Sequence, residues 1–277
     1  MRSRGLFTTV LASIALLGAV SAFGTAASAQ SGGETTVDLE LVIAVDVSLS
    51  MDIDEQTLQR EGYVKAFLDP LVINAIEQGL HGKIAVAYVE WAGAISQFLT
   101  IDWVLIDSRQ AAAEMSALLA EAPIARRRRT SISGALLYST ALFENNGYRG
   151  LRRVIDVSGD GANNQGERVD IVRDAVIAEG ITINGLPFVP EGGGGPLSLF
   201  ELPQLDDYYE DCVIGGPGAF SLPVHSPQEF AEAIRNKLVL EIAGIQRPRL
   251  IRISAEAPRV PCTIGEEQWR QFMNGEP

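Results

Sequence analysis

Asp46, Ser48 and Ser50 stand two residues apart, at the end of the apolar run Leu39-Glu40-Leu41-Val42-Ile43-Ala44-Val45. One carboxylate and two hydroxyls are hard oxygen donors, suited to Mg²⁺, Mn²⁺ or Ca²⁺ rather than to zinc. Alone, the pattern is equally that of a strand-end turn or an N-cap, where Asp and Ser are ordinary residues. Two further positions share its character. Thr130 follows directly on Arg126-Arg127-Arg128-Arg129, and Asp160 lies between Gly159 and Gly161. Glycines on both sides of an acid let backbone approach a site closely. The four arginines read either as a solvated loop or as a basic patch that steers acidic partners toward the donors. A His/Cys zinc site is not expected, because His81 and His225 are far apart and the only cysteines are Cys212 and Cys262.

The elements that must carry these donors alternate between strand and helix. Leu39 to Asp46 reads as a strand buried on both faces, as in a parallel sheet. Asp54 to Leu68 reads as a helix that restarts after Asp69-Pro70 and stops at Gly79. Lys83 to Trp91 is a second strand, and Ile95 to Ile101 alternates as an antiparallel edge strand. A helix over Ser108 to Glu121, with Ser108 as cap, ends at Pro123. Ile132, Leu136 and Phe143 mark the next, which Asn146-Gly147 closes. Leu151 to Ser158 is a strand whose Asp156 is either a carboxylate behind the site or a buried acid paired with an arginine. A helix through Val169, Val172 and Val176 leads to a strand over Ile181 to Phe188. Pro190 to Pro196 reads as a surface loop, Phe200 to Cys212 as helix, Ala219 to Val224 as a last strand, and Phe230 to Ile242 as a final amphipathic helix ended by Gly244. This order predicts an α/β fold: a doubly wound, mostly parallel sheet with one antiparallel edge strand, flanked by helices. Ligands of such sheets bind beyond the carboxyl ends of the strands, where Asp46, Thr130 and Asp160 all fall.

The N-terminus carries Arg2 and Arg4, an apolar segment from Leu6 to Phe23, and Ala27-Ser28-Ala29. That is the pattern of a secretory signal peptide over 1–29, the alternative being a retained membrane anchor. Residues 30–36 then form a linker, 37–244 the domain, and 245–277 a C-terminal extension. Losing Arg2 and Arg4 with the leader moves the net charge of the 277-residue chain from −13 to −15. Nucleic acid and anionic membrane surfaces are therefore not expected partners. In a periplasmic or secreted protein an isolated cysteine pair is most simply a disulfide, Cys212 to Cys262. Closing a loop of about 50 residues would contribute roughly 4 kcal/mol on the chain-entropy model.

Taken with Thr130-Ser131-Ile132-Ser133-Gly134-Ala135-Leu136 and Val154-Ile155-Asp156-Val157-Ser158-Gly159-Asp160-Gly161, the strand ends resemble those of von Willebrand factor type A domains. Ile181 to Pro187 and Val213 to Phe220 point more closely to a bacterial exported branch of that superfamily, one without an established biochemical role. The resemblance implies a metal-ion-dependent adhesion site. In it Ser48, Ser50 and Thr130 are direct ligands of one ion, Mg²⁺ (or Mn²⁺ or Ca²⁺), with Asp46 and Asp160 reaching it directly or through water. An ion held mainly by neutral hydroxyls keeps its electrophilicity and an open position, which an Asp or Glu carboxylate of a partner can fill. The expected function is thus metal-dependent capture of an acidic group on a protein or peptide, and not an enzyme. The alternative is a metal-assisted hydrolase, against which stand the lack of a histidine near any motif and of a Gly-x-Ser-x-Gly elbow. The four-arginine run and the extension depart from the adhesive members.

Overall fold

The computed structural model describes residues 33–189, 202–244 and 257–275. Its centre is β2 (Leu39–Asp46), with every residue buried. Leu39, Leu41, Ile43 and Val45 face one apolar layer and Val42 and Ala44 the other. Both faces of the strand are therefore apolar, which is why its sequence reads as a run rather than an alternation. Glu40 breaks the run and is satisfied by the amide of Gly150 and by Asn146 Nδ2 at 2.6 Å.

Around β2 the main sheet takes the order β4-β3-β2-β6-β7, formed by β3 (Ile84–Trp91), β4 (Gln97–Ile106), β6 (Arg153–Gly159) and β7 (Ile181–Pro187). All pairs are parallel except β3 with β4, as the sequence predicts. A short β1 (Thr35–Val37) pairs in parallel with β5 (Tyr148–Gly150), so Thr35 and Thr36, expected in a linker, belong to a strand.

One face of the sheet is covered by α1 (Ile53–Ala66), α2 (Pro70–Glu77), α3 (Arg109–Glu121) and α7 (Phe230–Ala243); the other by α4 (Ile132–Ala141), α5 (Val169–Ala178) and α6 (Leu205–Tyr208). The helix starts follow local chemistry. Asp52 and Glu55 form a capping box on α1, Asp69 caps α2 with Pro70 in its first turn, and Ser108 caps α3 as expected.

Several expectations are corrected. The edge strand begins at Gln97, not Ile95, because Ala92 to Ser96 closes a turn in which Ser96 N donates to Gly93 O at 2.9 Å. Phe200 to Cys212 yields only α6 and a π-turn over Tyr209–Val213 among the described residues. Ala219 to Val224 makes isolated bridges, Gly185 to Ser221 and Phe188 to Val224, rather than a strand. Pro217 and Pro223 flank or interrupt it, and a proline cannot donate to a ladder. The extension contains α8 (Ile264–Asn274), an amphipathic helix beyond those expected. Asp156 pairs with neither an arginine nor the site. Lys237 of α7 lies 2.6 Å from it, fully buried, and also contacts Glu241. The expected leader and the Pro190 to Pro196 loop lie outside the described residues. Among those described, no helix is long and apolar enough to cross a membrane.

Candidate functional site

β2 and β6 are neighbours, and their carboxyl ends present Asp46 and Asp160 side by side at one rim. Just past β2 the chain turns: Ser48 N donates to Asp46 Oδ1 at 2.7 Å, which aims the following hydroxyls inward. Ser48 Oγ and Ser50 Oγ are 2.8 Å apart, and Ser50 Oγ donates to Asp160 Oδ1 at 2.7 Å. Gln56, on the first turns of α1, holds this loop by donating to Ser48 O at 2.9 Å. Two hydroxyls and two carboxylates from positions 46 to 160 therefore form one connected group.

Thr130 is buried beside the loop that carries Asp160. A Cβ at Gly161 would come within 3.8 Å of Thr130 Oγ1. The Thr130 amide donates to Asn164 Oδ1 at 3.1 Å and its carbonyl accepts from Asn164 N at 2.9 Å. Ser131 caps α4 by accepting from Gly134 N at 3.1 Å, so the helix starts immediately behind the threonine. Four of the predicted residues, Asp46, Ser48, Ser50 and Asp160, are thus linked at the carboxyl rim, and Thr130 lies beside Gly161 of the same loop.

The electrostatics ask for a cation. Asp46 is completely buried, and among the described residues its Oδ2 has no hydrogen-bond partner. Burial, and then the charge of Asp160, push its carboxyl well above the ordinary range. Tyr209 Oη, also buried without a partner among the described residues, lines the same glycine: a Cβ at Gly159 would meet Asp46 Oδ2 at 2.9 Å and Tyr209 Oη at 3.1 Å. Two facing acids and adjacent hydroxyls suit a hard divalent ion. Among the described residues no three His, Cys, Asp or Glu side chains gather as a metal cluster. The donor set here is hydroxyl-rich, and its fit to an ion rests on the orphaned Asp46 oxygen.

The arginines separate into two kinds. Arg126, Arg127 and Arg128 are exposed, while Arg129 is partly covered. Arg126 Nη2 donates to Met51 O at 3.1 Å, and Arg127 pairs its backbone with Val47 and Ser48 and lays its guanidinium over Phe98 at 5.1 Å. The run is therefore built into the rim beside Ser48 and Ser50. Arg129 has φ 77° and stacks on Trp269 of α8 at 3.2 Å.

Asn163 and Asn164 are the residues that sequence reasoning missed. Asn163 is fully buried. Its Oδ1 accepts from Ser133 N at 3.0 Å, its Nδ2 donates to Glu167 O at 3.0 Å and Glu266 Oε1 at 2.7 Å, and its N donates to Tyr208 Oη at 3.2 Å. Two consecutive asparagines at a strand end, directly after an Asp-Gly, were the available signal, since Asn readily bonds to nearby backbone.

Residues 36–246 match the family described as a protein of unknown function, DUF1194. The chain belongs to this family. No curated protein matches it. Among solved structures it is similar to proximal thread matrix protein 1 from the mussel byssus, in a form with a zinc-occupied MIDAS motif: 11% identity, TM-score 0.52, over 76% of this chain and 49% of that one. It is also similar to the pilus adhesin SpaC from Lactobacillus rhamnosus GG: 12% identity, TM-score 0.53, over 76% of this chain and 31% of that one. The chain thus spans about half of the first of these structures and about a third of the second. At these identities the likeness is one of fold, and that fold is the von Willebrand factor type A fold within a family of unknown function.

Proposed function

We propose that the chain is an exported, divalent-metal-dependent binding module that captures an acidic group of a protein or peptide. Asp46, Ser48, Ser50, Thr130 and Asp160 would hold one ion, Mg²⁺ or else Mn²⁺ or Ca²⁺. The ion would supply Lewis acidity toward a partner carboxylate; the protein supplies the oxygens and the basic rim. The observation that carries the reading is the orphaned, buried Asp46 Oδ2 beside the linked Ser48, Ser50 and Asp160 oxygens. Support comes too from the mussel protein of the same fold, which holds zinc at its motif. Arg126, Arg127 and Arg128 add a positive patch to an acidic molecule, which favours an acidic partner by charge complementarity.

Residues 1–29 would act as the export signal and 37–244 as the binding domain, with the disulfide suited to a periplasmic or secreted setting. A metal-assisted hydrolase would need a base near the ion. His81 lies in the turn before β3, at the opposite end of the sheet, and His225, past the carboxyl end of β7, places its ring 3.3 Å from Val189 O; no observation brings either ring to the donors.

The test uses the mature chain and immobilised peptides bearing Asp or Glu, paired with Asn or Gln counterparts. Retention of the acidic peptides in Mg²⁺ and release by chelator is expected. Retention that ignores the chelator, or that does not distinguish acid from amide, would overturn the reading. A chelator-reversible pulldown from envelope extract would then identify the partner.

A further inference from the structure

Helix α8 touches both loops that close the candidate site. Gly265 lies so close to the Asp160 loop that a Cβ there would fall 2.2 Å from Asn163 O. One residue on, Glu266 accepts from Asn163 Nδ2 at 2.7 Å. One turn further, the Trp269 ring lies under the guanidinium of Arg129, the residue immediately before Thr130. Arg129 holds a left-handed φ of 77°. For a non-glycine residue that backbone costs about 1 kcal/mol or more and persists only when its surroundings impose it.

What keeps α8 there is mostly not its own burial. Of its 11 residues only Gly265 is fully buried, and a helix this short is marginal in isolation. It is tethered instead. The Cys212–Cys262 disulfide fixes the chain just before its first turn, and Arg259 binds Asp211 and Glu210 at 2.8 to 2.9 Å on the same segment. Cys212 follows closely on Tyr208, whose hydroxyl accepts from Asn163 N. The tether and Glu266 therefore converge on one asparagine from two directions. A tether of this kind turns a weak contact into an intramolecular one at high effective concentration.

We propose that α8 is a clamp that positions the Thr130 and Asp160 loops for ion binding, held shut by the Cys212–Cys262 disulfide, with Gly265, Glu266 and Trp269 as positioning residues. The loop-ordering half stands on the contacts alone; the metal half rests on the function proposed above.

The experiment uses the full mature chain and two readouts. The first is metal-free hydrogen exchange over 126–134 and 159–168, compared between the oxidised chain, the Gly265→Ala variant and the chain reduced by a dithiol. The dithiol passes two electrons and two protons to the cysteine pair and is itself oxidised to a disulfide. Exchange at the Thr130, Ser133 and Asn164 amides should rise about tenfold in both treated forms, while β2, β3 and β6 stay protected. The second is Mn²⁺ affinity by electron paramagnetic resonance. It should weaken about tenfold in Gly265→Ala and Trp269→Ala and on reduction, while Trp269→Phe, which keeps an aromatic face for Arg129, restores it. Unchanged loop exchange in Gly265→Ala and after reduction would overturn the clamp, as would Mn²⁺ affinity that ignores both. Loosened loops in a chain whose wild type binds no Mn²⁺ would keep the loop-ordering half and remove the metal reading.

Discussion

At the scale of single residues, Asp46 carries the account. Its Oδ1 is bonded to Ser48 N, and its Oδ2 is buried near Asp160 without a partner among the described residues. The folded, metal-free protein therefore disfavours the carboxylate, which is what its raised pKa states. The sign follows from linkage: a folded pKa above the unfolded value contributes stability at low pH that is lost as pH rises through the folded value. Asp46→Asn should raise the metal-free melting temperature at pH 7 and flatten this part of its pH dependence, while abolishing any response to divalent ions. Calorimetric scans from pH 5 to 8, with and without Mg²⁺, would check it; an Asn variant less stable than wild type without metal would contradict it. Gly159→Ala makes a complementary prediction. Its methyl group would press on Asp46 Oδ2 and Tyr209 Oη, and Mn²⁺ binding should weaken more than tenfold even where the fold survives. The donors themselves were legible because each is a polar residue at or just past a strand end, or just before a helix. Asn163 and Tyr209 were not, since their work depends on what lies across a loop from them.

Among the elements, the packing of α7 on β6 holds the most unusual chemistry. Lys237, Asp156 and Glu241 are all buried, and Asn184 Nδ2 donates to Glu241 Oε1 at 3.0 Å. One cation faces two acids. Burial, then Asp156, push Glu241 up to about 7. Glu241 thus contributes stability that is full below its unfolded pKa of 4.5 and is lost as pH rises through about 7. In Glu241→Gln the urea midpoint should fall less between pH 5 and pH 8 than in wild type; an unaltered slope would argue against the assignment. Lys237→Met, which leaves the acids without their cation, should cost on the order of 3–5 kcal/mol. The contrast with the sequence is instructive here. β2, α1 to α3 and the α3 cap follow from periodicity and local signals, and the structure reproduces them. The buried triad, the failed strand at Ala219 to Val224, and α8 depend on partners distant in sequence. Trp269 and Glu266 lie on an amphipathic helix whose pattern is local but whose partners are not, because that helix is held by a disulfide and by two loops.

Across the whole molecule, an acidic chain carries one concentrated basic feature, on the rim that also holds the hydroxyl and carboxylate donors. If Arg126, Arg127 and Arg128 steer acidic partners, replacing them with Ser should slow association and flatten its dependence on salt, leaving dissociation nearly unchanged. Stopped-flow association with an acidic peptide at two ionic strengths is the check, and equal on-rates for both proteins would return the run to a purely architectural role in bracing the loop after β2. Fold class was legible at this scale from the order of elements alone, whereas partner identity was not, because it depends on surface shape that no periodicity encodes. The central claim is that the rim binds a divalent ion, and thermal unfolding of the mature chain in Mg²⁺ or Mn²⁺ tests it most directly. A ligand at about 100 times its dissociation constant stabilises the folded state by roughly 2.7 kcal/mol. For a chain of this size that moves the midpoint by several degrees, at about 2–4 °C per kcal/mol. The account predicts such a shift in wild type and its loss in Asp46→Ala and Thr130→Ala, both still folded. No shift in wild type, or a full shift in both variants, would contradict it.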